Sequence, residues 1–389
     1  MKPRIAILTH SLASGGAERF VTHLLTGLTP DFEIHLLLFD DTIEYELPEG
    51  QTVAFIERGF RGRQNLTSIA RLPLAAWRLK KYCKGNNIQL LISLLNRPNF
   101  TSGIAKLLGL KIPLMISERT YTPLWFSEND LRGKIAKRLI SWLYPQADII
   151  LPNSEGTRKA LVEWYGIKSR CEVVRNIVAR ADIERQMAEI VDDVSFDRFT
   201  FIHVGSFSPM KGHRLMVEAF DRIRGKDAQL LFIGKGEKFD EIRKLVNDKG
   251  LEKDILFLGH QQNPFKYMGR ADCFVLASDF EGFPNVLTEA MACGLPVIST
   301  DCETGPRELL WLDNRANGLA LKAVEYGEFG VLVPVANSAI LAEAMGQMLG
   351  DADKRERYRK LSLERVGEFD TARVIGRFRT LIMEYIRGN

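Results

Sequence analysis

Short continuous apolar runs alternate along this chain with longer stretches whose apolar residues recur every third or fourth position. Ile5-Ala-Ile-Leu8 is such a run. A Ser/Gly-rich loop follows it, and then Ala17 to Leu28, with Phe20, Leu24 and Leu28 at helical spacing. Further strands are expected at Phe32–Phe39, Leu90–Leu94, Leu114–Ser117, Ile149–Pro152 and Cys171–Val174. Runs of this kind suit strands covered on both faces, so their alternation with helices predicts a parallel sheet between helical layers.

The pattern lapses between Arg180 and Arg198, a charged stretch without an apolar strand that reads as a linker region. It resumes at Phe199-Thr-Phe-Ile-His-Val-Gly205, turns at Ser208-Pro209 and enters a helix near Gly212. Strands at Gln229–Ile233, Ile255–Leu258, Cys273–Leu276, Val297–Ser299 and Val331–Val333 make a second open sheet, and Thr371 to Arg387 reads as a closing helix. The chain is long enough for two cores of about 150–200 residues each. The expected fold is therefore α/β, with two Rossmann-like parallel-sheet domains over residues 1–183 and 184–370. A terminal helix, 371–389, is expected to pack back on the first domain. Ligands bind at the carboxyl ends of strands in such sheets, so the two edges are expected to face each other across a cleft.

Charge changes this picture. Residues 1–180 carry 25 Lys and Arg against 16 Asp and Glu, whereas the remainder carries 28 against 33. Only one half is then expected to meet an anionic partner. From Arg58 to Lys84 there are eight basic residues and no acidic one, interleaved with Phe60, Leu66, Ile69, Leu72, Leu74, Trp77 and Tyr82. Trp125, Phe126, Lys134, Lys137, Arg138 and Trp142 repeat the mixture. Basic groups with interfacial aromatics favour an anionic membrane surface, although an ordinary helix with a solvated basic face has the same composition. No nucleic-acid signature accompanies the charge. The N-terminal apolar run is too short for a signal peptide, and no run approaches the roughly 18–20 residues of a membrane span. Scattered cysteines without a C-x-x-C pair suit a reducing cytoplasm, and the histidines form no ligand set for a metal. Asp351-Ala-Asp353 matches a D-x-D pattern but lies away from any strand end, and reads as solvated.

Candidate chemistry concentrates at strand ends. Glu281-Gly-Phe-Pro-Asn-Val-Leu-Thr-Glu289 places two carboxylates, seven residues apart in between, across a loop that opens into a helix. Pro284 suits a first helical turn, and the helix N-terminus behind it favours an anion, most naturally a phosphate. Two hydroxyl acceptors flanking an anion site describe a nucleotide diphosphate sugar. Gly205-Ser206 opens the matching loop, whose Lys211 lies where its ammonium can neutralise a diphosphate oxygen. Gly15-Gly16, and Gly234 with Gly236, are close-approach turns, although Gly15-Gly16 lacks the dinucleotide spacing. Gly259 to Pro264 is a weaker candidate for a nucleobase edge. Arg307 follows a strand end in the second half, and Glu118-Arg119 ends one in the first.

With these residues in place the chain resembles the retaining glycosyltransferases of family 4, which have the GT-B fold. The likeness is most specific over Glu281 to Glu289 and the following Gly294-Leu-Pro-Val-Ile-Ser; Pro284-Asn-Val-Leu287, Gly305-Pro-Arg-Glu308 and Ser117-Glu-Arg119 resemble a branch that extends lipid-linked or capsular glycans. The resemblance implies that Glu289 takes the ribose hydroxyls and Glu281 the sugar hydroxyls. Gly282, Phe283, Pro284, Asn285, Val286 and Leu287 would hold the sugar and diphosphate, with Lys211 on the diphosphate and Gly15-Gly16 near the reaction centre. It implies no metal and no cofactor, the nucleotide sugar being a substrate. Ser206 stands where the family usually has arginine, so the missing charge is assigned to Arg307, Arg175 or Arg119. Glu118-Arg119 stand where many relatives carry histidine, and are expected with Glu281 and Lys211 to be catalytic.

The implied activity is hexosyl transfer from a nucleotide diphosphate sugar, a UDP-sugar, to a glycan acceptor on a polyprenyl diphosphate, at the cytoplasmic membrane face, in bacterial surface-glycan assembly. The alternatives are a sugar-nucleotide epimerase and a non-catalytic nucleotide-binding or scaffolding subunit. A phosphorylase would need a far longer chain.

Overall fold

In the computed structural model, residues 2–13, 15–57, 70–125, 131–312 and 321–388 are described. Residues 58–69 of the basic segment, and Phe126, fall outside them. The chain divides into two compact units, residues 1–177 with 371–389, and residues 178–370.

The first unit holds β1 (Arg4–Thr9), β2 (Glu33–Leu38), β3 (Thr52–Phe55), β4 (Leu90–Leu94), β5 (Leu114–Glu118) and β6 (Ile149–Pro152), in the order β3-β2-β1-β4-β5-β6. All neighbours are parallel. Alternation along β1 sends Ala6 and Leu8 to one core and Ile5 and Ile7 to the other. The first core is covered by helices Leu72–Gly85, Asn96–Leu107 and Leu131–Leu143. The second is closed by helix Gly16–Leu28 and the terminal helix Thr371–Arg387. Phe378, Leu381 and Ile382 of the terminal helix are fully buried there, and Phe378 lies 5.8 Å from the Phe20 ring.

The second unit holds β7 (Phe199–Val204), β8 (Ala228–Ile233), β9 (Ile255–Phe257), β10 (Cys273–Leu276), β11 (Val297–Thr300), β12 (Glu325–Tyr326) and β13 (Val331–Val333). Their order is β12-β13-β11-β10-β7-β8-β9, parallel except for the antiparallel edge pair β12/β13. The Val178 N–H bonds the Phe369 carbonyl at 2.9 Å, so both ends of this unit lie side by side.

Several elements differ from the sequence expectation. Arg180–Met187 is a helix, not a linker: Ile183 and Met187 pack on the core and an Arg180–Glu184 ion pair at 2.8 Å spans one turn. Cys171–Val174 runs beside β6, with Glu172 and Val174 N–H donating to the Ile150 and Pro152 carbonyls, but forms only a bridge at Cys171. The four-residue β3 and two-residue β12 are too short to carry a readable period. Asp351 is a helix cap: its carboxylate accepts the Lys354 N–H at 2.8 Å at the start of helix Ala352–Val366. Among the described residues no helix is long and apolar enough to cross a membrane, and no cluster of His, Cys, Asp or Glu suits a metal.

The strand orders locate the functional edges. In the first sheet the winding reverses between β1 and β4, and in the second between β7 and β10. Crevices outside the carboxyl ends at such reversals are where open α/β sheets hold ligands.

Candidate active site

The loops that leave β7 and β10 in the second unit carry the Lys211 and Glu281 segments, and the fold joins them. Lys211 Nζ lies 2.6 Å from Glu281 Oε1. Ser278 Oγ donates to the same oxygen at 2.7 Å. The Lys211 side chain remains 23% exposed and that of Glu281 10%, so the pair sits at the rim with the ammonium the more open member.

Backbone geometry holds Lys211 in place. Pro209–Lys211 is one turn of 3-10 helix, Gly212 takes φ +65°, and helix His213–Arg222 begins behind it. A Cβ at Gly212 would lie 1.9 Å from the Ala277 carbonyl oxygen, so only glycine lets the two loops pack. Phe207 stacks on His213 with ring centroids 4.0 Å apart, fastening the loop to the helix. Burial, with smaller contributions from His203 and Lys211, drives the His213 pKa down to about 2, which keeps this contact uncharged.

The Glu281 loop is braced from behind. Thr300 Oγ1 donates to the Ser278 carbonyl at 2.5 Å, and Thr304 Oγ1 donates to the Glu281 carbonyl. Phe283 is buried and packs edge-on to Phe369 at 6.0 Å, and Leu287 is fully buried. These two side chains belong to the core, whereas Asn285 and Val286 are partly exposed. Pro284 caps helix Asn285–Ala292, one residue earlier than a first helical turn would place it. Glu289 lies in the second turn, partly buried.

The remaining candidates fall into two groups. Gly205, Gly234 and Gly236 line the same edge, where Gly234 (φ +148°) would put a Cβ 1.9 Å from the Gly205 carbonyl oxygen. Their first task is to let the loops after β7 and β8 lie backbone on backbone. Ser206 is exposed beside them. Arg307 does not join this group. Its Nη2 bonds Asp301 at 2.6 Å and Glu325 at 3.0 Å, and the side chain is 8% exposed. Two carboxylates already match its charge, so Arg307 braces its loop.

In the first unit, the expectation that Glu118 and Arg119 are catalytic meets a physical obstacle. Glu118 is fully buried, accepting from Tyr144 Oη at 2.5 Å and from Thr120 N at 2.9 Å. Burial raises its pKa, against the hydrogen bonds from Tyr144 and Thr120. Arg119 donates to Ser117 Oγ and the Val174 carbonyl, both at 2.7 Å, and to Asn176 Oδ1 at 3.1 Å. Its guanidinium lies 3.9 Å from the Phe20 ring centroid, and burial lowers its pKa to about 9. Both are interior groups that tie strand ends together. Gly15 is likewise engaged: its N–H donates to Tyr45 Oη at 3.3 Å, and a Cβ there would meet the Glu18 carboxylate at 2.2 Å. The Glu18 carboxyl, half-buried with a pKa raised by burial, thus lies against the turn read as a close-approach site. Gly16 is exposed next to it.

Ser278, Thr300 and Thr304 went unnoticed in the sequence. Their one legible signal was position, since each is a hydroxyl residue at or just beyond a strand end.

Residues 192–364 match the family model described as glycosyl transferases group 1, and residues 14–181 that of glycosyltransferase family 4. A Campylobacter jejuni protein is 35% identical over 95% of this chain and 97% of its own length. It is named N-acetylgalactosamine-N,N'-diacetylbacillosaminyl-diphospho-undecaprenol 4-alpha-N-acetylgalactosaminyltransferase. A second C. jejuni enzyme, named as an alpha-1,4-N-acetyl-D-galactosaminyltransferase acting on a diNAcBac-PP-undecaprenol-linked disaccharide, is 25% identical over 98% of both chains. Among solved structures, Anabaena HepE in complex with UDP superimposes with a TM-score of 0.79 at 18% identity, covering 99% of this chain and 100% of that one. The fold and the matched models together define an enzyme, a GT-B glycosyltransferase. The chain belongs to glycosyltransferase family 4.

Proposed function

We propose that the protein transfers a hexosyl group from a UDP-sugar to a hydroxyl of a glycan carried on a polyprenyl diphosphate, with retention at the anomeric carbon. The observation that carries this reading is the Lys211–Glu281 pair at the β7/β10 reversal. The names of the two C. jejuni relatives support the acceptor class, and the UDP complex of the structural neighbour suits the donor.

In this reading the bond from the anomeric carbon to the donor's phosphate oxygen breaks, and its electron pair stays on the diphosphate. The acceptor oxygen bonds the same face of that carbon, and its proton passes to the departing phosphate oxygen. Lys211 and the first turn of helix Asn285–Ala292 stabilise the charge that gathers there. Glu281 accepts hydrogen bonds from the sugar hydroxyls and Glu289 from the ribose. Incubation with UDP-sugars and a polyprenyl-diphosphate glycan is expected to release UDP together with an acceptor one hexose longer. A new sugar nucleotide formed without acceptor indicates an epimerase instead, and nucleotide binding without turnover on any acceptor indicates a scaffold.

The first unit is proposed to rest on an anionic bilayer at the inner membrane face. Helix Leu131–Leu143 exposes Leu131 (66%) and Trp142 (58%) beside Lys134, Lys137 and Arg138, while Ala136, Ile140 and Leu143 turn inward. Helix Leu72–Gly85 covers the same sheet face and exposes Leu74 and Trp77, with Lys81 Nζ 5.4 Å from the Trp77 ring. Basic groups around exposed apolar side chains complement an anionic phospholipid surface. Co-flotation with phosphatidylglycerol vesicles is expected, weakened at least tenfold by Leu131→Ser with Trp142→Ser. Equal flotation of that variant removes the helix from the contact.

A further inference from the structure

The reversal between β1 and β4 of the first unit has no assigned chemistry, although it repeats the position that holds Lys211 and Glu281 in the second. Ser93 pairs with Leu8, so Ser93 and His10 point to the same sheet face at neighbouring carboxyl ends. His10 stacks on Phe39, with centroids 6.2 Å apart and planes 24° from parallel. Arg97, in the first turn of helix Asn96–Leu107, has its guanidinium 4.7 Å from the same ring.

Two polar atoms on this face have no hydrogen-bond partner among the described residues, His10 Nδ1 and Ser93 Oγ. Ser93 is fully buried, and His10, just past the end of β1, is partly exposed. A buried polar atom left unpaired keeps its desolvation cost uncompensated, so two of them on one face of this reversal mark a place that a polar ligand or water completes. The charge is already balanced there. Arg97 Nη2 lies 2.6 Å from Glu57 Oε2, and both side chains are at most 6% exposed. An uncharged hydroxylated ligand therefore suits this edge better than a phosphate.

His10 has the protonation state for the task. Burial and then Arg97 press its pKa below 6.5, while Asp40 and Glu57 pull it up less strongly. The ring is neutral at neutral pH, with one nitrogen able to accept a hydrogen bond.

We propose that His10, at the β1/β4 carboxyl edge, accepts a hydrogen bond from the attacking hydroxyl of the acceptor glycan and so fixes its orientation. This rests on the transferase reading and adds to it a residue that touches the acceptor. The side chains of Glu118 and Arg119 are committed to the interior, which leaves that task to another group.

The test compares wild type, His10→Ala and His10→Gln for transfer to a polyprenyl-diphosphate glycan, and for hydrolysis of the UDP-sugar without acceptor. Misplacing a reacting group typically costs about 10²-fold, and a loss of that order is expected in transfer by His10→Ala. Donor hydrolysis and the UDP-induced thermal shift should stay within about twofold of wild type, since both report on the second unit. Wild-type transfer should fall as pH drops through the His10 pKa, below 6.5. His10→Gln, which keeps a hydrogen-bond acceptor but cannot titrate, should retain part of the rate and lose that acid limb. Transfer by both variants at the wild-type rate overturns the proposal, as does an acid limb that persists in His10→Gln. Parallel loss of donor hydrolysis overturns it too, since it reports a general structural defect. A wild-type enzyme that hydrolyses donor yet transfers to no glycan overturns the functional reading, and this inference with it.

Discussion

Replacing Lys211 by alanine is expected to lower the transfer rate constant by about 10²–10³-fold, the usual cost of deleting one preorganised donor aimed at developing charge. The diphosphate gains negative charge as it leaves, and the ammonium is already at the rim, 2.6 Å from Glu281 and 23% exposed. Because the side chain lies at the surface edge, its loss opens no core cavity, and Glu281 keeps its bond from Ser278 Oγ. The variant should therefore unfold within a few degrees of wild type. Arginine at this position should restore little, because a planar fork does not fit where a compact ammonium sits between two loops. Lys211 and Glu281 are in contact, so Lys211→Ala with Glu281→Gln should cost less than the two single losses combined. Single-turnover rates at saturating donor decide the matter. A rate within threefold of wild type for Lys211→Ala would sink the assignment of the charge clamp.

The second large effect is on stability and falls in the first unit. Arg119→Ala is expected to destabilise that unit by about 3–5 kcal/mol, the range found when one member of a buried charged network is removed. The guanidinium holds Ser117, Val174 and Asn176 together and covers the Phe20 ring. Its removal strands several acceptors at about 1–3 kcal/mol each and leaves a cavity beside Phe20. Lysine cannot replace the fork and should recover only part of the loss. Two units need not unfold together, so the measurement is the transition assigned to the first unit, followed with and without UDP. The UDP-induced shift, reporting on the second unit, should survive. An Arg119→Ala protein with wild-type unfolding and abolished transfer would return Arg119 to the catalytic residues.

Elements with strong local signals were legible without the fold. The apolar runs that became β1, β4, β5, β7 and β8 lie between helices of clear period, and the terminal helix carries Phe378, Leu381 and Ile382 on one stripe. The helix over Arg180–Met187 was hidden because its apolar face is narrow and its ion pairs read as linker charge. The site divided in the same way. The positions of Lys211 and Glu281 at strand ends could be read directly. Their contact could not, because 70 residues separate them.

By itself, then, the sequence determined two parallel α/β sheets, the strand ends that bear chemistry, and membership in the glycosyltransferases through the Glu281–Glu289 segment. Only the tertiary structure decided which charges remain available at those ends. It pairs Arg307 with Asp301 and Glu325, draws Glu118 and Arg119 into the interior, and brings Lys211 to Glu281 at the β7/β10 reversal. The reason is physical. A strand or helix follows from periodicity within a few residues, whereas the role of a charge depends on burial and on partners that arrive from distant parts of the chain.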